Sequence, residues 1–186
     1  TIIKLIDKIK IDVAVGADHI NARLLKDAKH IVAETLSKLV NASFKVSLFP
    51  SALKKAIGKP VYKKDCTENP SNYRPLSILP IISKILERAA ANQLVNYLEE
   101  NNLLNKVQHA YRKGHSTETC LNEIANYIYK ENDRGLLVGI ASLDLSKAFD
   151  SINHSLLLEK LRKFNLGKES LNWCSSYLTD RKQQTK

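Results

Sequence analysis

Ser142-Leu-Asp-Leu-Ser-Lys-Ala-Phe-Asp150 is the stretch on which the reading of this chain turns. It grows out of residues 136–145, which are apolar nearly throughout and broken by Gly139. Such a run is strand-sized and predicts a strand over 137–145, buried on both faces. Asp144 then falls at the C-terminal end of that strand. An acid there is costly unless it is paired, solvated in a cleft or bound to a metal. Asp144 and Asp150 stand six residues apart, across the strand end and the turn beyond it. A carboxylate so placed suits Mg²⁺, a hard cation that takes oxygen ligands, with the Leu145 carbonyl as a second ligand. An ordinary strand followed by a helix-capping Asp fits the same residues, and Phe149 fits plain core packing.

Downstream, Ser155 can cap a helix through Phe164, and another helix is expected over 168–178. Upstream, Ser116 and Thr117 offer a cap to a helix over 117–132, with Leu121, Ile124, Ala125 and Ile128 inward and Gly135 ending it. Residues 103–114 read as a polar connection. Ser83 can cap a helix over 83–100. Residues 59–80 hold Pro60, Pro70, Pro75 and Pro80, and read as weak strands over 59–64 and 73–79. Residues 20–43 fit one long amphipathic helix with Asp18 as its N-cap, and residues 51–57 a short one. The fold class is α+β and helix-rich.

Composition narrows the function. The 186 residues carry 29 Lys and Arg against 19 Asp and Glu, a net charge of +10. Five lysines and no acid lie in residues 51–64: Lys54, Lys55, Lys59, Lys63 and Lys64. That excess attracts polyanions, although a solvated lysine surface reads the same way. No run of about 18 apolar residues exists, so no membrane helix is expected. Cys66, Cys120 and Cys174 form no CxxC pair, and are expected to be reduced, buried small hydrophobes in an intracellular compartment. The five His residues form no zinc pattern. The chain has no Met. We therefore expect Thr1 not to be the native start and the chain to be a piece of a longer polypeptide.

From about residue 10 onward, a series of segments resembles the reverse transcriptase of non-LTR (LINE-like) retrotransposons, in the family's order. Gly16-Ala-Asp-His-Ile20 and Leu24-Leu-Lys26 resemble the stretch ahead of the fingers. Phe49-Pro50, Leu53-Lys-Lys-Ala56 and Pro60-Val-Tyr-Lys-Lys-Asp65 continue it. Asn72-Tyr-Arg-Pro-Leu-Ser77 with Ser83-Lys-Ile-Leu-Glu87 looks like the first fingers motif, and Gln108-His-Ala-Tyr-Arg-Lys-Gly-His-Ser-Thr117 like the second. Residues 142–150 with Asn153-His154 look like the palm motif holding the first catalytic aspartate. Trp173, Ser176-Tyr-Leu178 and Arg181-Lys-Gln183 resemble the stretch on its C-terminal side.

The resemblance implies a right-hand polymerase fold: a helical segment over 1–58, fingers over 59–135 and the start of a palm over 136–186. It implies RNA-templated DNA synthesis on a DNA primer from deoxynucleoside triphosphates, with Mg²⁺. Asp144 would be a catalytic, metal-binding carboxylate, with the Leu145 carbonyl beside it. Phe149 would lie under the sugar of the incoming nucleotide and exclude a ribose 2′-OH. Lys63, Lys64 and Arg74 would contact its triphosphate, and Arg112 would lie near the nucleotide. Lys54, Lys55, Lys59 and Gln108 would hold nucleic acid. A nuclear location is implied in the same way, and oligomeric state is left open.

Three departures bear on activity. The family's second carboxylate motif, an Ala-Asp-Asp hairpin, has no counterpart. The acids after Asp150 are Glu159, Glu169 and Asp180, none beside another acid. Gly58 stands where the family has an apolar strand residue, and His109 and His115 are unusual in the second fingers motif. The fragment is thus expected to be inactive alone. A non-catalytic RNA-binding derivative, a degenerate relic and a group II intron maturase are the alternatives.

Overall fold

The computed structural model describes residues 2–64, 66–145 and 148–185. Asp65, Ser146 and Lys147, which fall inside the motifs quoted above, lie outside the described residues. Those described form an α+β fold of seven helices and one three-stranded sheet. They pack as two units, residues 1–96 with 153–186, and residues 97–152.

The first unit holds the core. Helices α1 (Ile2–Asp7), α2 (Ala22–Asp27), α3 (Lys29–Lys45) and the start of α4 (Ile81–Glu100) bury Leu5, Ile6, Leu25, Leu36, Ile81 and Ile85 together. A second cluster joins Val40 of α3, Phe49, Leu86 of α4 and Trp173 of α7 (Lys168–Leu178). Trp173 stacks on Tyr177 and meets the rings of Phe44 and Phe49 edge-on. Helix α6 (His154–Lys163) buries Leu161.

The helix expected over 20–43 is two helices, broken at Ala28. No Gly or Pro marks the break. Lys26 and Lys29, on either side of it, both reach Asp7 at the end of α1, through its carbonyl at 2.9 Å and its carboxylate at 2.7 Å. That carboxyl sits below its ordinary value, chiefly through the Lys29 hydrogen bond. Asp18 does not cap α2; Asn21 does. The Asp18 carboxylate instead accepts from Ile81 N–H at 3.0 Å, satisfying an open donor at the start of α4. Gly16 is needed beside it, since a Cβ would meet the Leu79 carbonyl oxygen at 2.6 Å.

Two other expected caps move as well. Ser83 is fully buried inside α4 and donates to Glu87. Asn153, not Ser155, caps α6. The short helix expected over 51–57 is a single 3₁₀ turn, Ser51–Lys54, running straight into a strand.

Strand β1 (Lys55–Tyr62) pairs antiparallel with β2 (Tyr73–Ile78) and parallel with β3 (Lys182–Thr185), giving the order β2-β1-β3. Gly58, the departure noted in sequence, lies under the Gln183 side chain, which occupies the space a Cβ would need.

The second unit contains α5 (Thr117–Asp133), begun by a capping box between Ser116 and Thr119 and closed at Gly135, whose φ is +76°. No described residue of 97–152 is buried. Leu121 and Ile124, expected inward, are exposed, and Ala125 and Ile128 are half-buried. The strand expected over 137–145 is not formed, and those residues are irregular. Leu137, Ile140, Leu143 and Leu145 are exposed. The physical reason is pairing: a strand needs a neighbour for its backbone N–H and C=O groups. Among the described residues, the sheet consists of β2, β1 and β3, and this segment is paired with none of them. The cysteines also differ from expectation, Cys66 being exposed and Cys120 and Cys174 only half-buried.

Candidate nucleic-acid interface

Strand periodicity sorts the lysines of β1. Side chains alternate between faces, so Lys55, Lys59 and Val61 share one face. Cross-strand partners point the same way. Val61 is opposite Arg74, and Lys55 is opposite Lys182. The register therefore gathers Lys55, Lys59, Arg74 and Lys182 on one side of the sheet, all exposed. Lys63 continues the alternation, its N–H donating to the Asn72 carbonyl at 2.9 Å. The described residues of this face include no acid. Lys64 comes next at the bend, exposed.

Lys182 escaped the sequence reading because β3 is 4 residues long and pairs with a strand far upstream. The signal available was the Arg181-Lys182 pair itself. Arg181 is engaged: its guanidinium lies 4.1 Å from the Tyr177 ring centroid and 3.6 Å from Glu87. Lys54 does not join the sheet face. It ends the 3₁₀ turn and is 7% exposed.

The other candidates belong to the second unit. Arg112 holds the Glu99 carboxylate with two bonds, 3.0 and 2.8 Å, and donates to the Asn105 carbonyl at 3.0 Å. The ion pair keeps the Glu99 carboxyl below its ordinary value and raises Arg112. This fork closes the 101–112 loop onto the end of α4. Gln108 donates to the Ala110 carbonyl at 3.2 Å. His109 bridges Thr119 at 2.9 Å and Glu123 at 2.7 Å, so the unusual histidine ties this loop to α5. Phe149 is exposed and meets the Tyr111 ring edge-on at 6.1 Å.

Asp144 and Leu145 are exposed. Among the described residues, no group of three His, Cys, Asp or Glu is placed to hold a metal. One exposed carboxylate does not make the paired site a two-metal reaction needs. The donor set therefore does not fit a complete Mg²⁺ centre. No helix among the described residues is long and apolar enough to cross a membrane.

The reverse transcriptase (RNA-dependent DNA polymerase) family matches residues 61–186. The chain is 29% identical over 182 residues to the probable RNA-directed DNA polymerase from transposon BS of Drosophila melanogaster, covering 97% of this chain and 20% of that protein. It is 29% identical over 160 residues to the RNA-directed DNA polymerase from mobile element jockey of the same fly, covering 86% and 18%. For the probable polymerase from transposon X-element the figures are 30% over 151 residues, 81% and 17%. The chain thus spans about a fifth of the length of these relatives. The family match takes in the greater part of the chain, from residue 61 to residue 186, and the chain belongs to the reverse transcriptases, among those of non-LTR retrotransposons.

Proposed function

We propose that this chain is the fingers, residues 59–135, and the opening of the palm, residues 136–186, of an RNA-directed DNA polymerase. It holds the RNA template and its DNA primer and lacks catalysis by itself. The sheet register supports the reading best: four cations from three strands share one face with no acid among them. Each phosphate neutralised there releases counterions and strengthens binding at low salt. Arg74 carries a fork that suits phosphate oxygens, whether of the template or of a deoxynucleoside triphosphate. Asp144 supplies one metal-binding carboxylate, and the partner acids and their Mg²⁺ come from chain outside this sequence. The nucleus is, on the same reading, the place of work.

The test is single-stranded RNA binding across a salt series. Lys59→Glu and Arg74→Glu each lower affinity and flatten the log-log salt slope by about 0.7 or more. Unchanged affinity and slope in both would return this face to ordinary solvated surface. A second reading, a non-catalytic RNA-binding protein derived from a retroelement, draws on the incomplete carboxylate set. It predicts the same binding, and differs in that no longer form of the chain gains polymerase activity.

A further inference from the structure

Strand β3 has little of its own to hold it. It is 4 residues long, all of them exposed, and its first residue, Lys182, stands opposite Lys55 of β1. So short a strand forms few backbone bonds against the entropy of ordering it. Two like charges at neighbouring sheet positions also repel. Something outside the strand offsets both.

The anchor precedes the strand by one residue. Asp180, in the left-handed region at φ +55°, turns the chain out of α7, and Arg181 comes back over the last turn of that helix. Its Nε donates to the Tyr177 carbonyl at 2.8 Å, one of the acceptors a helix leaves open at its C-terminus. The guanidinium carbon lies 4.1 Å from the centroid of the Tyr177 ring and 5.5 Å from that of Phe49, within cation–π range of both. Nη2 stands 3.6 Å from Glu87 of α4, whose carboxylate accepts from the fully buried Ser83 at 2.8 Å. Arg181 is thus tied to α4, to α7 and to Phe49. Beyond Lys182, on the other face of the sheet, the Gln183 side chain lies across Gly58, a buried position of β1 with no side chain in the way.

We propose that Arg181 is a positioning residue: it anchors β3 to the first unit and thereby holds Lys182 beside Lys55 on the basic face. Its guanidinium is taken up by that anchor and is not itself a phosphate contact. The effect on binding rests on the RNA reading above; the anchor does not. A polyanion that neutralises Lys55 and Lys182 removes their repulsion, so RNA binding and β3 pairing strengthen one another.

The experiment uses the whole chain and two readouts, hydrogen exchange of the β3 amides and single-stranded RNA affinity across a salt series. Arg181→Met keeps the stem and loses the guanidinium. Arg181→Lys keeps the charge and loses the fork and the ring stacking. Lys182→Met, alone and with Arg181→Met, completes the set, and melting curves report that each variant is folded. Should Arg181→Met not fold, Arg181→Lys carries the same test. Both Arg181 variants speed β3 exchange, Arg181→Met by about tenfold, the loss of one charge-assisted bond. Bound RNA slows that exchange in the parent. Lys182→Met flattens the salt slope by about 0.7. Arg181→Met flattens it by a similar amount and adds nothing to Lys182→Met, since both act through one side chain. Unchanged β3 exchange in Arg181→Met overturns the anchor. Further flattening in the double variant, or a slope kept by Arg181→Lys while β3 loosens, makes Arg181 a phosphate contact and overturns the positioning role. Faster exchange in Arg181→Met with a slope indifferent to Lys59→Glu, Arg74→Glu and Lys182→Met leaves the anchor standing and removes the RNA reading instead.

Discussion

The hydroxyl of Ser43 accepts from the Trp173 indole N–H at 2.9 Å and donates to the Leu48 carbonyl at 2.6 Å. Ser43 and Trp173 are both buried, so neither group has water to fall back on. Ser43→Ala leaves a donor and an acceptor unpaired and should cost about 1–3 kcal/mol. Trp173 is the sole tryptophan, so its fluorescence tracks denaturant unfolding of this core directly. An unshifted midpoint would mean that the indole finds another acceptor. Asp18 plays a similar part across a longer distance. Asp18→Ala removes the acceptor for Ile81 N–H, and should destabilise the first unit by about 0.5–2 kcal/mol, the usual worth of a helix cap. Asp18→Asn keeps an acceptor and should lose less. The sequence marks Asp18 as a capping residue, yet its helix begins 63 positions away. Local spacing shows which residues can cap and leaves the partner to the tertiary fold.

Among the secondary-structure elements, helices over 81–100, 117–133, 154–163 and 168–178 were legible to within a residue or two from their 3.6-residue apolar spacing, although of the caps expected for them only Ser116 of α5 is the one found. Of the β1–β2 pair, β2 and the second half of β1 were legible as strands, whereas the start of β1 reads as helical in sequence and the pairing itself was not legible. What depended on packing was not legible either. Residues 136–145 have the composition of a buried strand, and among the described residues they pair with no strand. Exposed apolar surface of this kind binds apolar dyes and promotes association. Leu137→Lys with Leu143→Lys should lower dye binding and self-association while moving stability by no more than about 0.5 kcal/mol each. A large loss of stability would show that these leucines are packed. The Arg112–Glu99 fork gives the second unit an acid dependence. Glu99 is held below its ordinary value near 4.5 by the Arg112 hydrogen bonds. Its folded form thus binds its proton less readily than the unfolded chain does. The contribution is complete above the ordinary glutamate value and is lost as pH falls through the lower, folded value. Glu99→Gln should remove that part of the acid sensitivity, read by hydrogen exchange in 101–112 between neutral pH and pH below 4. An identical pH profile in the variant would assign the loop's stability to other contacts.

The whole molecule carries +10, and its basic sheet face draws on residues as far apart in the chain as Lys55 and Lys182. The candidate site was legible in part for that reason. Lys55, Lys59, Lys63 and Arg74 stand near one another in sequence, whereas Lys182 arrives only through the parallel pairing of β3. Lys54 reads like its neighbours in sequence and is set apart by one 3₁₀ turn. Catalysis is the property on which the fragment reading is most exposed. Phosphoryl transfer places charge on oxygens that two cations neutralise together, and one carboxylate cannot assemble them. The deciding measurement is primer extension on an RNA template with Mg²⁺. It compares the 186-residue chain with a longer form continuing through an Asp-Asp hairpin and thumb, each with and without Asp144→Asn. The expected result is no extension by the 186-residue chain, extension by the longer form, and its abolition by Asp144→Asn. Extension by the 186-residue chain that depends on Asp144, or a longer form indifferent to Asp144→Asn, would contradict it.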